Sequence, residues 1–256
     1  MSESIHFHYI FNFDDGAIKE FDVKLDRETL SLITKPASSC GSPAARSKLE
    51  EFAKCDGAPS WTELNHCKCP NCPLDEAKHK HCPVALNLAD LIHSFKDAVS
   101  YEKTSLTIET ERRSFMKEVS LQQGLGSLVG IYMTTSGCPI LDKLRPMVRH
   151  HLPFANAEET QYRVLSMYLL AQYFLKKRGE PADWDLKKLP RIYDEIRIVN
   201  KAFCERLKSV QGEDAIPNAV VILDTFANSI TFSIDKNLLN KTERLFFPSL
   251  DLPRED

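Results

Sequence analysis

The chain has 256 residues, of which 43% are hydrophobic and 27% charged, and a formal net charge of −3. This length and balance suit a cytoplasmic globular protein that buries a core without needing a metal to fold. They give no general drive toward nucleic acid or an anionic membrane, so a nucleic-acid partner is not expected and a protein partner stays open.

Residues 1–34 read as an antiparallel β meander. Ile5, Phe7, Tyr9, Phe11 and Phe13 alternate with His6, His8, Ile10 and Asn12, a period of two. Asp14-Asp15-Gly16 is a hairpin turn signal, Phe21, Val23 and Leu25 mark a second strand, and 29–33 is a third short run. His6 and His8 fall on the face opposite the aromatic side chains and read as solvent-facing decoration. The first residues carry no basic or apolar leader and no run of 18 apolar residues occurs, so no membrane segment is expected.

Residues 35–54 combine a Pro/Ser/Gly-rich linker with a short helix over 44–54. Residues 55–82 show little periodicity and hold most of the cysteines, with Trp61 and Leu64 as hydrophobic anchors. So irregular a segment is functional or is held by something other than packing. Residues 83–153 follow as a mixed region. A helix is predicted over 83–97, with Val84, Leu88, Leu91, Ile92 and Phe95 as its stripe and Pro83 in its first turn. A second hairpin over 104–121 extends the N-terminal sheet. A glycine-containing helix over 122–135 then breaks at Ser136-Gly137-Cys138-Pro139, which opens a short helix over 140–150.

Residues 154–247 read as helical. Asn156 and Glu159 have capping-box spacing. The run 162–175 is apolar on nearly every side, which predicts a central, buried helix. A helix over 189–210 and a long one from 217 toward 240 follow; 229–234 also suits an extended segment. The tail over 248–256 is loose. The fold class is therefore α+β. An antiparallel sheet of about five strands, in two hairpin-type units, packs beside a mainly helical C-terminal half, and an irregular Cys-rich loop joins them.

The cysteines are the chemical signal. Four of the eight are followed directly by proline: Cys69, Cys72, Cys82 and Cys138. Two residues between Cys69 and Cys72 let both sulfurs reach one ion from a single turn. Cys82 and Cys138 each precede a proline that opens a helix, where free backbone N–H groups favour thiolate over thiol. These four are the expected ligands of an all-cysteine metal site, with Cys67, His79 and His81 as alternatives for the fourth position. Zinc is the expected metal, supported by the nearby histidines. The proline-flanked all-cysteine pattern also suits a [4Fe–4S] cluster and a redox role.

A third reading makes Cys138 a catalytic nucleophile served by His150 or His151. Cys40 and Cys55 are candidate auxiliary thiols and Cys204 a core residue. Lys143, Arg145, Arg149, His150 and His151 form a basic run, read as a solvated face. No P-loop, dinucleotide fingerprint, H-E-x-x-H or G-x-S-x-G is present. The functional expectation is a cytoplasmic metal-binding accessory or regulatory protein with a structural or sensory site.

Three stretches resemble an uncharacterised family of bacterial proteins: 135–155, beginning Thr-Ser-Gly-Cys-Pro-Ile-Leu-Asp; Trp61-Thr-Glu-Leu leading into Cys69-Pro-Asn-Cys72; and Asn218-Ala-Val-Val-Ile-Leu-Asp. The resemblance spans nearly the whole chain. It implies a bacterial origin and brings no assigned activity, so no catalytic residue is carried over.

Overall fold

A computed structural model describes residues 4–33, 58–210, 212–235 and 243–250. The expected linker, the helix over 44–54, Cys40, Cys55 and the end of the tail lie outside the described residues. Strands β1 (Ser4–Phe13), β2 (Ile18–Asp26), β3 (Lys103–Thr110) and β4 (Ser114–Ser120) form one antiparallel sheet in the order β2-β1-β3-β4. The second hairpin thus extends the first, with Tyr9 opposite Phe21 on one side and Ile108 on the other. Alternation decides the faces: Phe7, Tyr9, Phe11, Val23, Leu25, Leu106 and Ile108 are buried on one side. His6 and His8 stay on the other, where both reach Asp22 Oδ1, at 2.6 and 3.0 Å.

Among the described residues the sheet has four strands rather than about five. Asp26 Oδ1 accepts the backbone N–H groups of Glu28 and Thr29 and the Thr29 hydroxyl, and Leu30 takes a positive φ of 55°. The chain turns back so tightly that only a single bridge, Leu25 to Leu32, forms where a third strand was expected.

Helices α1 (Pro83–Ser94) and α2 (Leu121–Thr134) supply the layer over the buried face of the sheet. Phe95, just past α1, meets Phe11 edge-on at 5.4 Å. A Cβ at Gly124 of α2 would stand 3.0 Å from Leu106 and 3.1 Å from Phe11, so a side chain there would have to push both aside. After the short α3 (Pro146–Arg149) come α4 (Ala157–Lys177), α5 (Leu189–Lys208) and α6 (Ala215–Asp235). Helix α6 packs on the far side of α2 and on α5, which makes α2 the central layer. Its 215–232 stretch is long and apolar enough to cross a membrane by length and composition, a window that the sequence reading did not pick out. Residues 229–234 are helical.

Helix α4 departs from expectation. Val164, Tyr168 and Gln172, one stripe at four-residue spacing, are buried, whereas Tyr162, Leu170, Tyr173 and Phe174 are exposed. Its apolar run reflects a peripheral helix with apolar side chains on its outer face rather than a central one.

Candidate metal centre

The irregular segment is built on a short β-like pairing. Leu64 N–H donates to the Lys80 carbonyl at 2.9 Å, and Cys82 N–H to the Thr62 carbonyl at 2.8 Å. Leu64 is buried and Trp61 packs against the core. Between these rungs the Cys69–Cys72 turn is closed by a 2.9 Å bond from Cys72 N–H to the Cys69 carbonyl. Asn71 ties the turn to α5 by donating to the Glu195 carbonyl at 2.9 Å. On the opposite side, Ser136 Oγ accepts the Cys138 N–H, and the Cys138 carbonyl accepts from Asp142 N–H.

These pieces converge. Cys69, Cys72, Cys82 and Cys138 all line one cavity of about 20 Å³, closed by Leu74, Val84, Ile140, Val199 and Phe203. That volume is about one water- or ion-sized sphere. Cys67, exposed, does not line it, nor do His79 and His81. His81 Nδ1 lies 2.8 Å from Thr62 Oγ1, whose own proton goes to the Pro59 carbonyl at 2.6 Å. The ring therefore carries its proton on Nδ1, and Nε2 is buried and unpartnered. Among the described residues no three His, Cys, Asp or Glu side chains are already gathered into a metal-holding arrangement.

Cys82 is the N-cap of α1, and Cys138 lies three residues ahead of the 3₁₀ turn Leu141–Leu144. The N–H groups of Val84 and Ala85 face Cys82, and those of Ile140 and Leu141 face Cys138. The Cys82 side chain makes no regular capping bond. The expectation that these positions favour thiolate needs correction. Burial is the larger effect at both and pushes both thiols up, the N–H groups only partly opposing it. Cys69 is pushed up to about 12 by burial and then by Cys82, Cys138 and Cys72, with Arg206 opposing. This mutual influence is a second mark of the four sulfurs' proximity.

Arg206 is the residue that sequence reasoning missed. It lines the cysteine cavity, is 2% exposed, and donates from Nη1 to the carbonyls of Trp61 and Glu63 at 2.6 and 2.7 Å. Among the described residues it forms no ion pair. The signal was available: Arg206 continues the buried spacing Val199, Phe203 on α5.

Lys143, Arg149 and His150 of the basic run are exposed, in line with a solvated face, and several members of the run also make contacts within the chain. Lys143 pairs with Glu195, Arg145 with Asp142, and Arg149 donates to the Arg27 carbonyl. His151 Nε2 is engaged by Tyr9 and Ser127 at 2.8 and 3.0 Å.

A family model, described as a domain of unknown function (DUF6901), matches residues 47–247. The chain belongs to this family. The match takes in all four cysteines, Arg206, β3, β4 and the described helices up to α6. It begins after β1 and β2. Neither the curated proteins nor the solved structures contain a match.

Proposed function

We propose that this DUF6901 member is a cytoplasmic metal-binding accessory or regulatory protein, with Cys69, Cys72, Cys82 and Cys138 as ligands of one zinc ion. The observation that carries the reading is the single ion-sized cavity that all four sulfurs share. Four thiols are a donor set suited to zinc, and a space near 20 Å³ suits one ion better than a four-iron cluster. Bound zinc would hold the thiols deprotonated and tie the irregular segment to the N-terminus of α1 and to the turn after α2. Arg206 supplies a buried positive charge against the excess negative charge of four thiolates.

The role is structural or sensory, because a segment with few core anchors gains order from the ion that closes it. The thiol-enzyme alternative has less support: burial raises the Cys138 thiol, and His151 is committed to Tyr9 and Ser127.

Metal analysis and a visible spectrum of anaerobically purified protein test the reading. Colourless protein with about one zinc per chain is expected. Brown protein containing iron and sulfide would replace zinc by a cluster, and absence of both metals would overturn the proposal. Cys138→Ser should lose most of the zinc; full retention would remove Cys138 from the ligand set.

A further inference from the structure

A second cavity lies away from the cysteines, between α2, α4, α5, α6 and the connection 141–155, and has a volume of about 390 Å³. That is within the range of small-molecule sites. The α6 wall is wholly apolar: Ile222, Leu223, Phe226, Ala227 and Ile230. The charged groups in its lining are Lys117 and Arg163, and neither Asp nor Glu borders it. A cavity with two cations, no carboxylate and a hydrocarbon wall is complementary to an amphiphilic anion.

Three buried or half-buried polar groups there have unused capacity. Asn200 is 3% exposed and Tyr193 4%, and both border the cavity. Neither side chain has a hydrogen-bond partner among the described residues. Seven residues apart on α5, they share a face. Arg163 is half-buried and spends one donor on the Met147 carbonyl at 3.0 Å. Glu159, one turn earlier on α4, accepts Asn156 N–H at 2.8 Å and acts on Arg163 through its charge, but Arg163 forms no ion pair among the described residues. The guanidinium acts electrostatically on Tyr193 and His151, which places it beside them. A carboxylate accepts from a guanidinium fork, a phenol and an amide together.

We propose that this cavity binds an aliphatic monocarboxylate. Its carboxylate accepts from Arg163, Tyr193 and Asn200, and its chain lies along α2 and α6. At about 30 Å³ per heavy atom the space takes a chain of on the order of ten carbons. The chemistry differs from that of the cysteine site, and the two share only α5 and the segment that carries Cys138 and Leu141 as walls.

Titration calorimetry of the purified full chain with decanoate, 1-decanol and decyltrimethylammonium tests the proposal. Decanoate should bind about tenfold or more tighter than decanol, since the charged contacts are lost with the head group, and the cation should not bind. Tyr193→Phe, which keeps the ring and its packing, should weaken decanoate severalfold and leave decanol unchanged. Arg163→Met should bring decanoate down to the decanol level, whereas Arg163→Lys keeps part of the preference. Gly130→Leu tests the tail: the nearest side-chain atom to a Cβ there is Leu223 Cδ2 at 3.6 Å, so the larger residue takes up part of the cavity, and both ligands should bind more weakly. Equal affinity for decanoate and decanol, binding of the cation, no binding at all, or a Tyr193→Phe protein with unchanged decanoate affinity would each overturn it.

Discussion

Arg206 and His151 show how one buried side chain can be set by what surrounds it. Arg206 holds two backbone carbonyls of the irregular segment and faces the cysteine cavity with no carboxylate partner among the described residues. Arg206→Met should leave both carbonyls unpaired and remove the charge opposite the thiolates. Zinc affinity, read by chelator competition, is expected to fall about 10- to 100-fold, the usual cost of losing an outer partner of a metal site. His151 is held down to about 3 by burial and then by Arg163, against an unfolded value near 6.5. The folded chain keeps this ring neutral where the unfolded chain takes up a proton. Its contribution is therefore fully present above about pH 6.5 and lost as pH falls toward 3, amounting to a few kcal/mol, on the order of one per pH unit crossed. Urea midpoints at pH 7 and 4.5 check this: His151→Asn should lower the midpoint at pH 7 and flatten its dependence on pH.

At the scale of elements, local signals were legible and placement was not. Asn156 and Glu159 predicted a capping box, and α4 has it, with Glu159 N–H donating to Asn156 Oδ1 at 2.9 Å and Asn156 N–H to Glu159 Oε2 at 2.8 Å. Asn156→Ala should cost about 1 kcal/mol in chemical denaturation. The same helix defeated the burial prediction, because periodicity reports how apolar a face is and not whether anything covers it. The helix start at Cys82 was legible from Cys-Pro, whereas after Cys138 the chain makes only a 3₁₀ turn that begins at Leu141. The charge state of their sulfurs was not, since burial depends on what α5 and Leu74 bring from afar. For the same reason, nothing local to Arg206 announced its carbonyl partners some 140 residues earlier. Nor could Tyr193 and Asn200 be linked to Arg163 without the packing of α4 beside α5.

For the whole molecule, the α+β reading and the joining of two hairpins into one sheet were legible from strand alternation. Among the described residues the expected extra strand amounts to a single bridge, after a tight turn in which Asp26 takes up the N–H groups of Glu28 and Thr29. The sheet order has a further consequence. β1 stands between β2 and β3, yet both β1 and β2 precede the region shared with the family, 47–247. A fragment spanning 47–256 would leave β3 with a free row of backbone donors and acceptors, and Leu106 and Leu125 without the aromatic floor of Phe7, Tyr9 and Phe11. Such a fragment should aggregate when expressed alone and recover solubility when a peptide of residues 4–26 is supplied in trans, as judged by gel filtration and circular dichroism. A soluble, monomeric fragment with native ellipticity would show the opposite. The family's common region, in this chain, is an acceptor groove waiting for a donor strand.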